Sequence, residues 1–363
     1  MNEFARPTAR PPTRKTLRHP AELVASGLAS AEKLAALEDV AARYAIAITP
    51  EMAELADPAD AHDPIARQFV PDPEETLTTP EELADPIGDG IHEVSEGLIH
   101  RYPDRVLLKF VGVCAVYCRF CFRREMVGPE AGNLSAEAVA AALEYIRNNN
   151  EIWEVIVSGG DPLVASPRRI SELVQELAAI DHVRVVRFHS RVPMVAPERV
   201  TGALVAALAV PGITSWVAIH ANHPREFTPA ACAAIARLAD AGIPLVSQTV
   251  LLAGVNDDAE MLALLMRRFV ENRVKPYYLH HGDLAPGTGH FRTSLAEGRR
   301  LVRALRGHVS GLCQPTYVLD IPGGHGKVPV GPDAVETDGI TTTVTDYHGC
   351  RHVYPNTHDP TKS

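Results

Sequence analysis

Short apolar runs rich in β-branched residues recur along most of the chain, at 105–113, 152–157, 183–188, 214–219, 244–250, 275–279 and 316–319. Each has the length and composition of a strand. Between them lie stretches with helical spacing, at 135–148, 167–179, 197–209, 228–241, 257–272 and 294–308. Several helices have readable starts: Ser166 before Pro167, Thr228 before Pro229, and Asn256 before Asp257 and Asp258. Alternation of strand and helix with mostly short links predicts an α/β protein whose parallel strands are buried on both faces. Six or seven such repeats predict a barrel, complete or partial. In that architecture the chemistry gathers at the C-terminal ends of the strands.

The chain ahead of the first run reads differently. Leu23, Leu28, Leu34, Leu37, Val40 and Tyr44 fall near helical spacing, which predicts a helix over 21–47. Before it, Arg6, Arg10, Arg14, Lys15 and Arg18 stand against a single acid, Glu3, and Pro7, Pro11 and Pro12 break any amphipathic helix. A disordered basic tail over 1–20 is expected there, not a targeting peptide. From 51 to 96 there are 14 acids and one base, Arg67, with seven prolines between Pro50 and Pro86. Charge and proline together predict a segment that wraps the surface of the downstream barrel, with no regular core element. The expected organisation is a tail (1–20), a helical and acidic proline-rich wrap (21–104), a barrel core (105–322) and a C-terminal segment (323–363).

Composition narrows the function classes. The net charge is −10, the wrong sign for a polyanion binder, so no nucleic-acid partner is expected. The longest uncharged stretch, 202–219, has Pro211 and Gly212 at its middle and reads as helix, turn and strand; no membrane span is expected. Six cysteines in 363 residues are too few for a disulfide scaffold, and three of them lie within eight residues. That spacing suits metal in a reducing compartment, and a cytoplasmic location is expected.

These three, Cys114, Cys118 and Cys121, directly follow the first barrel strand. Three thiolates on one loop suit three irons of a [4Fe–4S] cube, leaving one iron without a protein ligand. Zinc would want a fourth ligand, and inert burial is the plain alternative. Ser158, Gly159, Gly160 and Asp161 close the second strand. The glycines either let the backbone approach a ligand or cap the strand in a tight turn. Near the C-terminus, Asp320 to Lys327 includes Gly323, Gly324 and Gly326. Ile321 and Val328 break a P-loop pattern, and what remains is an amine on a bare, flexible loop, as a Schiff-base lysine requires. The histidine pairs His280–His281 and His220–His223 suggest pocket lining more than metal ligation, and Cys232 and Cys313 read as packing.

Taken in order, these motifs resemble the lysine 2,3-aminomutase family of the radical S-adenosylmethionine superfamily, over roughly residues 45 to 350. The resemblance rests on the run from His100 to Arg105, the cysteine motif continued by Arg123 and Arg124, His281 to Asp283 ahead of His290 to Thr293, and Asp320 to Lys327. It implies a partial (β/α)6-type radical S-adenosylmethionine barrel with an N-terminal helical and extended wrap and a short C-terminal extension. It implies three cofactors: a [4Fe–4S] cluster on the three cysteines, S-adenosylmethionine at Gly159, Gly160 and Asp161, and pyridoxal 5′-phosphate on Lys327. Arg101 and Arg191 are implied for the cofactor's phosphate, Arg123 for the substrate carboxylate, and Asp283 with Asp320 for the distal ammonium of L-lysine. The implied reaction interconverts L-lysine and β-lysine, an isomerisation. An electron donor such as flavodoxin or ferredoxin and a homo-oligomer are implied as partners. The family's C-terminal zinc cysteines have only Cys350 in the corresponding region. A relative that makes β-lysine for modifying a translation elongation factor is the nearest rival, and a zinc-dependent barrel hydrolase is a rival of another class.

Overall fold

The structure, a computed structural model, describes residues 15–337 and 341–354. Its main sheet has ten strands hydrogen-bonded in chain order. They are β1 (Glu93–Ser95), β2 (Leu98–Tyr102), β3 (Arg105–Val111), β4 (Glu154–Gly159), β5 (Val185–Ser190), β6 (Thr214–His220), β7 (Leu245–Val250), β8 (Lys275–His280), β9 (Thr316–Ile321) and β10 (Gly326–Pro329). From β3 to β9 every pairing is parallel. Antiparallel pairings of β1, β2 and β3 form one edge, and the β9–β10 hairpin forms the other. Helices α1 (Ala136–Arg147), α2 (Pro167–Ala178), α3 (Gly202–Leu208), α4 (Pro229–Asp240), α5 (Ala259–Glu271) and α6 (Leu295–Leu305) make the crossovers. This is the α/β partial barrel that the pattern predicts, with each parallel strand within two residues of its expected limits.

Side-chain caps set where the helices begin. Ser135, Ser166, Thr201, Thr228, Asp258 and Ser294 each accept a backbone N–H of the first turn. Asp258 takes the place expected of Asn256, which instead is buried and donates to the carbonyls of Asn222 and Val250. The helix expected over 197–209 is split: Pro197–Arg199 forms a single tight turn and α3 starts only after Thr201. Apolar stripes, such as Ile170, Leu173, Val174 and Leu177 on α2, pack into one continuous core. Each such side chain contributes about 1.5–3 kcal/mol on burial.

The N-terminal region departs most from expectation. The helix expected over 21–47 is broken: Pro20–Ala25 ends at Gly27, whose φ of 72° is left-handed, and a second helix covers Leu34–Arg43. Of the expected tail, 1–14 lie outside the described residues. Leu17, however, is buried and pairs with Ile48, so ordered structure begins before residue 20. The acidic segment, expected to hold no regular core element, does hold some. Pro50 and Pro64 stand in the first turns of helices, where proline is tolerated, and Met52, Ile65 and Phe69 join the core. Its acids Asp63, Glu75, Glu82 and Asp89 are buried against arginines of the barrel.

Among the described residues no ladder joins the two ends of the sheet, yet they touch. The Tyr102 hydroxyl of β2 accepts the Lys327 N–H of β10 at 2.8 Å, and His92 Nε2 lies 2.8 Å from the Gly324 carbonyl oxygen. Gly88 (φ 65°) approaches so closely that a Cβ there would lie 2.4 Å from Gly324 N. The barrel is thus sealed by side chains and loops. The boundary expected at 322/323 falls inside the β9–β10 hairpin, and beyond it β11 (Val335–Thr337), β12 (Thr342–Thr345) and β13 (Arg351–Tyr354) form a separate antiparallel sheet.

Glu75 tests the strap's contribution to stability. Burial alone would raise its pKa, but Arg119 and then Arg124 hold it below the usual carboxylate value of 4.5. Its stabilising effect is therefore complete above that value and lost as pH falls through the lowered one. Glu75→Gln should lose about 3–5 kcal/mol at neutral pH, read from urea unfolding, because two guanidiniums stay buried and unpaired. The gap from wild type should narrow on acidification; a gap that is small at pH 7, or constant with pH, would show that the pair is not stabilising.

Candidate active site

The segment after β3 carries the three cysteines and is anchored from both sides. Cys121 N–H bonds the Cys118 carbonyl at 3.1 Å, Tyr117 N–H bonds Ala47 and Arg119 N–H bonds Gln68. Arg119 forks onto Glu75 with Nε at 2.9 Å and Nη2 at 2.6 Å, and Arg124 Nη2 bonds the same carboxylate. Held in this way, Cys114, Cys118 and Cys121 line one cavity together with Tyr44, Arg119 and Arg124. Burial pushes all three thiols up, Cys118 to about 11, so binding a metal would expel their protons. Among the described residues no three His, Cys, Asp or Glu are gathered around one metal ion. The three thiols line one shared cavity, so all three can meet a common group there.

The turn closing β4 packs directly on this segment. Gly159 has φ 103°, and a Cβ on Gly160 would fall 2.3 Å from the Val113 carbonyl oxygen. Gly160 N–H and Asp161 N–H bond the Val111 and Val113 carbonyls at 2.6 and 3.0 Å. Both glycines are therefore demanded by the approach of the cysteine-bearing strand. The Asp161 side chain, expected at a cofactor, is committed within the protein: it accepts Ser190 Oγ and Arg191 N at 2.7 Å, and Leu163 N and Val192 N at 3.1 Å. It ties the β4 turn to the end of β5.

Polar side chains stand at the ends of successive strands: His189 on β5, His220 on β6, Gln248 on β7, His280 on β8 and Asp320 on β9. Burial holds these imidazoles neutral, pushing His220 down to about 3 and lowering His189 and His280. The Nε2 atoms of His189 and His220 are buried without a partner, and the two rings are 5.9 Å apart. Such orphaned atoms fit a polar ligand between them.

Lys327 lies on β10 and not on the expected flexible loop. It sits directly across the hairpin from Asp320, and its Nζ bonds Asp320 Oδ2. The hairpin's glycines serve the tight turn and the contact with Gly88. Asp320 Oδ2 lies 3.7 Å from His280 Nδ1, while Asp320 Oδ1 is buried with no partner. Asp283 follows β8. Burial, reinforced by Asp320, pushes its carboxyl up to about 7 against the pull of Lys327 and Arg123. Among the described residues nothing hydrogen-bonds it. The structure thus brings Lys327, Asp320, Asp283 and Arg123 within one electrostatic neighbourhood.

Asp89, unremarked in the sequence, organises the arginines. Its Oδ2 accepts Arg123 Nη2 at 2.7 Å and Nε at 3.2 Å, and its Oδ1 accepts Arg101 Nη2 at 3.0 Å. Arg123 is gripped by one edge, leaving Nη1 without a protein partner among the described residues. Arg101 Nε is buried and unpartnered, which fits an anion. Arg191, expected beside it, is placed elsewhere: its Nη1 points to Cys118 Sγ at 3.5 Å. The available clue to Glu75 and Asp89 was the crowding of Arg119, Arg123 and Arg124 around the cysteines, which calls for acids from the strap.

A model of the Radical SAM superfamily matches residues 108–266, and one described as lysine-2,3-aminomutase matches 302–363. L-lysine 2,3-aminomutase of Clostridium subterminale is 42% identical over 290 residues, covering 80% of this chain and 70% of that protein. The enzyme of the same name from Methanococcus maripaludis is 41% identical over 322 residues, covering 85% and 74%. Glutamate 2,3-aminomutase of Clostridioides difficile is 35% identical over 311 residues, covering 86% and 72%.

The contact of Gly160 with Val113 can be tested by one added methyl group. Gly160→Ala should destabilise the protein by about 1–3 kcal/mol, as overpacking does. Gly202→Ala, with nothing within 4 Å, should be neutral or better. Equal unfolding midpoints for the two variants would mean that the turn is not packed as described.

Proposed function

Because the chain belongs to the lysine 2,3-aminomutase family, within the Radical SAM superfamily, we propose that it exchanges an amino group and a hydrogen between adjacent carbons of L-lysine, giving β-lysine. The observation that carries this reading is the pair of acids, half-buried Asp283 and buried Asp320, beside Lys327 and near the charge of Arg123. A lysine substrate presents one carboxylate and a distant ammonium. Arg123 offers a planar cation to the first, and the two acids offer compensation to the second in a site where desolvation is otherwise costly. A glutamate substrate would set its second carboxylate against two acids.

Cys114, Cys118 and Cys121 would hold a [4Fe–4S] cluster, Gly159 and Gly160 would flank S-adenosylmethionine, and Lys327 would hold pyridoxal phosphate with Arg101 at its phosphate. When bound, the cluster and S-adenosylmethionine supply the hydrogen-abstracting radical, and the pyridoxal group carries the migrating nitrogen. The protein's own part is orientation and exclusion of water. Asp89 holds the Nε–Nη2 edge of Arg123 and leaves Nη1 to meet the substrate carboxylate. In the protein alone, the Lys327 ammonium takes the position on Asp320 that a substrate ammonium requires. Asp283 keeps a proton near neutrality and must release it for the substrate's ammonium to be fully paired. A small one-electron donor of the flavodoxin or ferredoxin kind serves as reductant.

The deciding experiment is an anaerobic assay of L-lysine, L-glutamate and L-alanine with both cofactors and dithionite. Lysine alone should turn over well; preferential turnover of glutamate or alanine would overturn the reading. Norleucine, of equal length but without the ammonium, should be worse than lysine by about 10⁴-fold or more, since the buried acids would be left unpaired. Asp283→Asn and Asp320→Asn should each cost about 2–5 kcal/mol in transition-state binding of lysine.

The pH dependence stems from Asp283, whose carboxyl ionises at about 7 in the free protein beside Asp320, Lys327, Arg123 and Asp89. kcat/KM for lysine should therefore rise with pH as Asp283 ionises. In Asp283→Asn the rise should vanish; if it persists, another group controls binding.

A further inference from the structure

Arg191 is tightly constrained beside the cysteines, and the proposed reaction leaves it without a role. It follows β5, and its own N–H is fixed by Asp161 at 2.7 Å. Its Nη2 donates to Glu226 Oε2 and to Gln68 Oε1, each at 2.6 Å. Phe69 and Phe120 flank the guanidinium, with ring centres 4.8 and 5.3 Å from Cζ. Glu226 is itself immobilised, because its Oε1 accepts the backbone N–H groups of Asn222 and His223 at 2.8 and 2.9 Å. Gln68 is held likewise, accepting Asn222 Nδ2 at 3.1 Å and donating to the Pro64 carbonyl. Nη2 and the backbone N–H are thus held by three acceptors and Nε is buried without a partner, while Nη1 is aimed at Cys118 Sγ, 3.5 Å away.

We propose that Arg191 is a positioning residue that sets the reduction potential of the iron–sulfur cluster by donating to the Cys118 sulfur, with Glu226 offsetting part of its charge. The inference rests on the reading that the three cysteines hold such a cluster. On reduction the cluster gains one electron, with no bond made or broken and no proton moved. The added negative charge spreads onto the ligand sulfurs. A fixed N–H donor and a buried cation beside one of them stabilise the reduced state more than the oxidised state. Arg191 and Glu226 are both buried, so solvent screens neither charge effectively. Their charges act in opposite directions: removing the cation makes reduction harder, and removing the anion makes it easier.

The test is an EPR-monitored dithionite titration of anaerobically reconstituted protein without substrate, for wild type, Arg191→Gln and Glu226→Gln. Arg191→Gln should lower the equilibrium constant for reduction at least tenfold, a midpoint about 59 mV more negative for one electron. Glu226→Gln should move the midpoint the other way. A purely structural role would broaden or weaken the signal without opposed shifts. If Arg191→Gln does not take up iron, the sign of the Glu226→Gln shift decides alone. Midpoints unchanged, or moved in the same direction, with normal iron content would overturn the role of Arg191 and leave the cluster assignment standing. Absence of iron from wild type would instead overturn the cluster assignment.

Discussion

A guanidinium taken out of water must meet a carboxylate, and the mouth of this barrel holds Arg101, Arg119, Arg123, Arg124 and Arg191 in buried or nearly buried positions. All but one of them are answered by the strap that precedes the barrel: Glu75 meets Arg119 and Arg124, and Asp89 meets Arg101 and Arg123. The remaining arginine, Arg191, meets Glu226 after β6, and even there Gln68 of the strap takes part. The cysteine-bearing segment therefore depends on more than its own backbone hydrogen bonds. Its shape is imposed by two carboxylates that arrive from outside the barrel, and the site depends on those pairs before any ligand is present.

The parts of this arrangement legible in the sequence are those that depend on neighbours in the chain. Strands and crossover helices arise from local periodicity, and the caps at Ser166 and Thr228 from residue type. The cysteine triplet is a local motif, and so is the glycine pair after β4. Long-range pairing was not legible. The strap's charge and prolines predict no regular core element, until Pro50, Pro64 and Pro73 are found in first helical turns and Glu75 opposite arginines more than forty residues away. Arg191 reads as any cation at a strand end, because Cys118, its partner, is 73 residues distant. The same limit hides the setting of Lys327: the glycines around it read as a mobile loop, whereas they form a tight hairpin pressed against Gly88.

The polar groups that remain unanswered are as informative as the paired ones. Among the unpartnered groups, the buried Oδ1 of Asp320, the free carboxyl of Asp283, Arg101 Nε and the Nε2 atoms of His189 and His220 belong to the site. They lie along the strand ends or beside the arginines at the mouth, whereas the acids of the strap are fully engaged. That division separates Asp161, whose carboxylate is saturated by four protein donors, from Asp320, whose carboxylate is not.

The seam between β2 and β10 has a different kind of consequence. Every ladder pairing in the main sheet joins strands consecutive in the chain, whereas Tyr102 and Lys327 are 225 residues apart. Bringing such distant points together carries the largest closure entropy in the barrel, and the contacts that reward it are a few hydrogen bonds of about 0.5–1.5 kcal/mol each. The seam should therefore be the last feature to form in folding and the first to part in native fluctuations. It works as a clasp on an otherwise continuous band. Parting of that clasp would expose Lys327 while leaving every parallel pairing of the sheet in place.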